Sequence, residues 1–208
     1  MKSWQAELYL FLVTFIWGGT FVFTKIGLGF CPPSLYIIIR FTTALLLSLI
    51  FFGKHLRKLD KTTALHGIVL GLLFGGGFLL QTYGLKMTTV SKSAFITGIT
   101  VVLTPFVYWL VERKPISLFN KIGVAIVAVG LWLFTNPDFD NINYGDVLTL
   151  FSTLFWAFYI TYMDVFTRGR QDRGETSLLV MMQFVAAFPP AALAYFAFEG
   201  GGPGLILS

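Results

Sequence analysis

Seven long apolar blocks, parted by short clusters of turn-forming and charged residues, constrain this chain more than any other feature. They run over roughly 7–28, 34–52, 64–85, 92–111, 119–135, 145–166 and 176–198. A helix needs about 20 mostly apolar residues to cross about 30 Å of hydrocarbon. Each block is close to that length, and the stretches Leu8 to Thr24 and Phe41 to Gly53 hold no charge. The breaks between them are Cys31-Pro32-Pro33, Gly53 to Lys61, Glu112 to Pro115, Asn136-Pro137-Asp138 and Arg168 to Glu175. A membrane β-barrel would instead show segments of about 10 alternating residues. One such block alone reads as a buried core helix, but seven cannot all be core in 208 residues. The pattern predicts an all-α, polytopic transmembrane helix bundle.

Composition excludes the main alternatives. Charged residues make up 12% of the chain and hydrophobic ones 56%, against about 25% and about 45–50% in soluble domains. Too few charges remain to cover a water-facing surface, and the hydrophobicity is too high for a disordered chain. The one cysteine, Cys31, has nothing to pair with. With only two histidines beside it, no four-ligand zinc set exists, and no metal or cofactor is implied. The first block is too long for the 7–15-residue core of a signal peptide and lacks a small-x-small cleavage site after Thr24, so it reads as a permanent span.

The basic residues give the threading. With the N-terminus inside, the inner segments hold Lys2, then Lys54, Arg57, Lys58 and Lys61, then Arg113, Lys114 and Lys121, then Arg168, Arg170 and Arg173. That is eleven of the 15 basic residues, whereas the outer loops hold at most Lys86 and Lys92. The segment 136–146 carries Asp138, Asp140 and Asp146 without a basic residue and reads as external. This alternation follows the positive-inside rule. It accounts for the net charge of +5 without a nucleic-acid partner.

Blocks one and six share a pattern, and so do blocks two and seven. Thr14 and Trp17 match Thr153 and Trp156 at an offset of 139 residues. Ser34, Leu35, Phe41 and Ala44 match Ser177, Leu178, Phe184 and Ala187 at an offset of 143, with Arg40 opposite Gln183. A repeat of five spans is odd, so the second copy must enter the membrane upside down. Inverted repeats of this kind build many secondary transporters, with the substrate at the midplane. On this reading residues 1–135 form a first five-helix repeat and 136–208 a partial second one. A partner for block three would begin near residue 207, where the chain stops at Ser208. The expectation is therefore a product truncated after the seventh of ten helices; a native seven-span protein is the alternative.

Several motifs lie in register with these blocks. They are Trp17-Gly18-Gly19-Thr20-Phe21 followed by Lys25; the Pro32-Pro33 turn followed by Arg40-Phe41 and Ala44; and Gln81, Tyr83, Gly84 and Leu85. Ser93-Ala94-Phe95 and Thr104-Pro105 follow, then Glu112-Arg113 before a fifth helix spaced by Gly123 and Gly130, then Gly145-Asp146 before Trp156. Over residues 4–198 the chain resembles the EamA family of the drug/metabolite transporter superfamily. The resemblance implies ten helices in two inverted fives. It also implies a secondary transporter of a plasma membrane, of the bacterial inner-membrane type, that moves small metabolites or drugs, most often outward.

Helical periodicity selects candidate substrate contacts. Thr14, Trp17, Gly18, Phe21 and Lys25 share one face of helix one, and Thr149, Ser152, Thr153, Trp156 and Tyr159 one face of helix six. Gly18 also fits close helix packing. Two symmetry-related tryptophans would line opposite sides of a central cavity and hold aromatic or hydrophobic substrates, or cations against a ring face. Lys25 either joins that cavity or snorkels to the outer interface. Arg40 lies about 10 Å into its span and requires a counter-charge from a helix end, from further helices or from an anionic substrate group. Gln81, and Thr97 beside the kinking Pro105, complete the candidate set. Gly67, Gly71 and Gly75 form a packing ridge, with Gly75-Gly76-Gly77 a second candidate role as a hinge. Asp164 reads as interfacial, or as a site where protons couple to transport. His55, His66 and Cys31 read as loop residues. No G-x-S-x-G, H-E-x-x-H or paired intramembrane aspartate supports an enzyme. A non-transporting membrane interaction subunit, or a remnant of a carrier, is the alternative function.

Overall fold

The computed structural model describes residues 3–135, 142–170 and 173–200. Lys2, Asp138 and Asp140, used above to thread the chain, lie outside them. The described residues form seven α-helices and no strand: α1 (Ser3–Gly27), α2 (Pro33–Phe52), α3 (Lys61–Met87), α4 (Val90–Glu112), α5 (Leu118–Thr135), α6 (Tyr144–Thr167) and α7 (Arg173–Ala194). A 3₁₀ segment, Gly53–Lys58, joins α2 to α3, and a π-helical turn, Tyr195–Glu199, extends α7. Every apolar block became one helix. Six of the seven are long and apolar enough to cross a membrane. The seventh, α5, runs 18 residues, about 27 Å at 1.5 Å per residue.

The helix ends follow local chemistry. Pro32 is extended, and Pro33 opens α2 where its missing N–H costs nothing. Asp60 caps α3 by accepting the N–H groups of Thr63 at 3.1 Å and Thr62 at 3.3 Å. The bonds from Thr63, chief among the causes, hold its carboxyl below the usual range. Asn143 and Asp146 cap α6 reciprocally, each side chain accepting the other's backbone N–H at 3.0 Å.

The bundle is inverted relative to a soluble protein. Large apolar side chains face outward along α1 and α5, among them Phe15, Phe23, Phe119 and Leu133. In water such a surface would aggregate; against lipid tails it is solvated. The interior holds nearly as many polar as apolar residues, including Thr82, Thr149, Ser152, Thr153, Thr161 and Gln183. Most of these hydroxyls donate to a carbonyl one turn back, as Thr161 does to Ala157 at 2.9 Å and Ser48 to Ala44 at 2.7 Å. That bond removes the cost of a bare hydroxyl in a low-dielectric core.

The centre of the bundle is α3, packed along α6 on one side and α7 on the other. Its glycines allow this. A Cβ added at Gly71 would sit 2.6 Å from the Ala186 Cβ, and one at Gly75 2.9 Å from the Ala187 carbonyl oxygen. One at Gly84 would meet the Gly145 carbonyl at 2.7 Å, where α6 begins. Gly76 and Gly77 lie against Phe155 and Trp156, and α3 is continuous through all three glycines. The Gly75–Gly77 run is thus a packing surface here rather than an interruption. Along α2, α3 and α7 an aromatic cluster of Phe41, Phe74, Phe78 and Phe184 fills the core.

Gly71→Leu should therefore lower the melting midpoint of detergent-solubilised protein by several degrees, since overpacking a tight contact costs about 1–3 kcal/mol. Gly123→Leu should not, because nothing lies within 4 Å of a Cβ there. Thermal-shift size-exclusion profiles of the two variants check the contrast.

Candidate substrate cavity

Between α1, α3, α4 and α6 lies a cavity of about 350 Å³. From α1 it receives Thr14, Trp17 and Phe21, from α3 Phe78 and Gln81, from α4 Thr97 and Thr100, and from α6 Trp156. Ala94, Gly98 and Val101 complete the α4 wall, the face that helical spacing groups around Thr97. The lining is mostly apolar with a few polar groups, as in small-molecule sites generally. Gln81 Nε2 donates to Thr97 Oγ1 at 2.9 Å, joining α3 to α4 beside the cavity. The Trp156 indole N–H and the Thr100 hydroxyl are buried without a hydrogen-bond partner. Both belong to residues of the cavity wall.

The structure thus brings Thr14, Trp17, Gln81, Thr97 and Trp156 into one lining; Arg40 lies in an adjoining niche that shares Gln81, Tyr159 packs on Trp156 outside the lining, and Lys25 stands apart. The two tryptophans are not on opposite walls, as expected, but meet edge to face with centroids 6.1 Å apart. Trp17 is half exposed whereas Trp156 is buried, because α6 packs on α3 and α4 while α1 touches them only lightly. Tyr159 lies one turn further along α6 and packs on Phe74 and Trp156. Its hydroxyl donates to Gln183 Oε1 at 3.1 Å.

Lys25 does not line the cavity. Its ammonium donates to the carbonyls of Leu85 at 2.7 Å, Lys86 at 3.1 Å and Thr88 at 2.7 Å. All three of its protons are used at the C-terminus of α3, where the helix dipole also favours a cation. These partners lie 60 to 63 residues away in sequence, out of reach of any periodicity argument.

Arg40 lines a smaller niche of about 20 Å³, together with Thr20, Thr24 and Thr82. The niche shares Thr20, Phe21, Phe78 and Gln81 with the main cavity. The guanidinium stacks over the Phe78 ring, 4.5 Å from its centroid. Among the described residues it has neither a carboxylate nor a hydrogen-bond partner. A desolvated cation–π contact returns about 2 kcal/mol or more, against a cost of about 2.5–3.5 kcal/mol for an arginine at the bilayer centre, and no hydrogen bond or ion pair among the described residues adds to it. The charge is therefore incompletely compensated.

Polar clusters tie the two ends of the bundle. At one end, Arg168 bonds Glu112 at 2.7 Å, Asp164 at 2.5 Å and the Tyr108 hydroxyl at 3.0 Å, linking α4 to α6. These two carboxylates, Glu112 foremost, keep the Arg168 guanidinium protonated. Asp164 is more than half exposed and already paired, which fits its interfacial reading. Nearby, Arg170 donates to Thr63 at 2.8 Å, and His66 stacks on Phe166 with centroids 3.8 Å apart. His66 is therefore a helix-packing residue of α3 and not a loop residue. At the other end, Asp146 accepts the Thr88 hydroxyl and pairs with Lys92 at 3.7 Å. There too Tyr83 donates to Glu199 at 2.5 Å, with Ser34 2.8 Å from the same phenol oxygen. Sequence reasoning missed this last trio; Glu199 closes the final apolar block and gives no periodic signal.

An all-helical bundle with an apolar exterior and an internal cavity defines a multi-pass membrane protein. The sequence profile of the EamA-like transporter family matches residues 4–136, and the chain belongs to that family. It is 33% identical over 168 residues to an uncharacterized transporter of Archaeoglobus fulgidus, covering 81% of this chain and 52% of that protein. It is 28% identical over 161 residues to the uncharacterized inner membrane transporter YedA of Escherichia coli K12, covering 74% and 51%. Over 152 residues it is 25% identical to the uncharacterized transporter YoaV of Bacillus subtilis, covering 70% and 52%. The chain spans about half the length of these relatives. No solved structure matches it.

Lys25→Met should lower the melting midpoint by several degrees, since it removes three charge-assisted hydrogen bonds to carbonyls at the end of α3, two of them part-buried. Affinity per folded molecule for any cavity ligand should stay the same. A weakened affinity at unchanged stability would return Lys25 to the cavity.

Proposed function

We propose that this chain forms the substrate pathway of a secondary transporter that moves small organic molecules across a plasma membrane, with its N-terminus in the cytoplasm and export as the prevailing direction. The cavity between α1, α3, α4 and α6 carries the reading, because it places aromatic walls and a few polar groups inside a bundle otherwise closed by helix packing. Family membership and relatives named as transporters support the class. Transport on this reading is the work of binding and rocking.

The inverted repeat is part of the proposal, with residues 1–135 as the first unit and 136–208 as part of the second. Its support is that two pairs of residues expected to be repeat-related touch one another. Trp17 meets Trp156, and Phe41 lies 6.4 Å from Phe184, ring centroid to ring centroid. Residues related by a two-fold axis make mutual contact only beside that axis, so both pairs mark the same line through the bundle. Alternating access then amounts to tilting about this line. The clusters around Arg168 at one end and Asp146 at the other are the contacts such a tilt must break in turn.

Proteoliposomes containing the chain should take up at least one compound of a metabolite panel saturably. Trp17→Ala and Gln81→Ala should each cut that flux about tenfold or more while inserting normally. Flux unchanged in both variants, or none above empty liposomes for the whole panel, would contradict the assignment.

A further inference from the structure

We infer that the cavity selects organic anions, specifically a carboxylate on an aromatic or apolar body, and excludes amines and zwitterionic amino acids. The inference rests on the proposed substrate site and names its ligand class.

Three observations converge. First, among the described residues no aspartate or glutamate lines either the cavity or the niche, so none of them would balance an ammonium group there. Second, two strong donors there have no partner, the Arg40 guanidinium and the Trp156 indole N–H, and the Thr100 hydroxyl beside them is free to donate as well. A ligand rich in acceptors satisfies them, whereas a cation would face another cation across the Phe78 ring.

Third, the two halves differ at two facing positions. Tyr159 corresponds to Thr20 at the 139-residue offset, and Gln183 corresponds to Arg40 at the 143-residue offset. On the α6–α7 side the Tyr159 hydroxyl reaches Gln183 and the position is filled. On the α1–α2 side threonine replaces tyrosine, arginine replaces glutamine, and a niche of about 20 Å³ opens between them. Thr20 turns its own hydroxyl back to the Trp17 carbonyl at 2.7 Å, so it does not serve Arg40. The niche exceeds the space of one water molecule, about 10–15 Å³ by the same kind of measure, and suits the oxygen of a carboxylate. The ligand's head thus takes the place that a protein hydroxyl holds in the other half. Its apolar body extends past the shared wall of Phe21 and Phe78 into the larger cavity.

The test holds the ring constant and varies the charge. The chain in phosphatidylcholine nanodiscs is titrated with 1-naphthoate, 1-naphthylmethanol and 1-naphthylmethylammonium, reading the quenching of tryptophan fluorescence against empty nanodiscs. Naphthoate should bind saturably, at least about tenfold more tightly than the ammonium probe, or about 1.4 kcal/mol. Arg40→Gln should reduce that ratio to within about threefold, and Arg40→Lys should retain most of it. Thr20→Tyr keeps the charge but fills the niche, and should abolish naphthoate binding in protein that still elutes as a single folded species. Equal or tighter binding of the ammonium probe, or a ratio unmoved by Arg40→Gln, overturns the inference. Saturable flux of some compound without charge preference overturns it while leaving the transporter reading intact; naphthoate binding with the predicted ratio but no flux of any compound does the reverse.

Discussion

Hydrocarbon offers no hydrogen bonds, and this single property dictates most of what the chain does. Backbone amides must pair within their own segment, so each apolar block became a continuous helix. Hydroxyls inside the bundle turn back on their own carbonyls, as Thr149 does to Gly145 at 2.8 Å. Charges must find partners wherever they fall. Lys25 finds three carbonyls at the end of α3, whereas Arg40 finds only the face of an aromatic ring. The two cations thus differ in how fully the fold satisfies them.

The same solvent removes the usual drive for helices to associate, since lipid tails are as apolar as leucine. Close approach has to supply the attraction. That is the role of the glycine ridges on α3, which bring α6 and α7 near enough for backbone and small side chains to touch. With α3, α6 and α7 locked together and α1 held mainly through Lys25 and light contact with α3 and α4, the cavity lies along the boundary between a tightly and a loosely packed part of the bundle. A boundary of that kind is where a rocking motion would cost least.

Much of this was legible in the sequence, because a bilayer imposes a length and a polarity that can be counted. All seven helices were visible as apolar runs. The cavity faces of α1 and α4 followed from their 100° periodicity, which grouped Thr14 with Trp17 and Thr97 with Gly98. Periodicity orders residues on one helix but says nothing of the rotation or depth of the next. Hence the Gln81–Thr97 bond, the embrace of Lys25 by α3, the stacking of His66 on Phe166 and the Ser34–Tyr83–Glu199 trio could not be read from it. The tryptophans were found individually, but their mutual contact depends on how far α1 and α6 approach, which only the packed bundle determines.

Accessibility of the connecting segments from the two sides of a membrane tests the central claim most directly. In the Cys31→Ser background, single Ile142→Cys and Leu56→Cys variants are exposed on intact cells to a membrane-impermeant maleimide. The threading requires the cysteine at position 142 to be modified from outside, and that at position 56 only after permeabilisation. Modification of both in intact cells would contradict the threading and, with it, the carrier account.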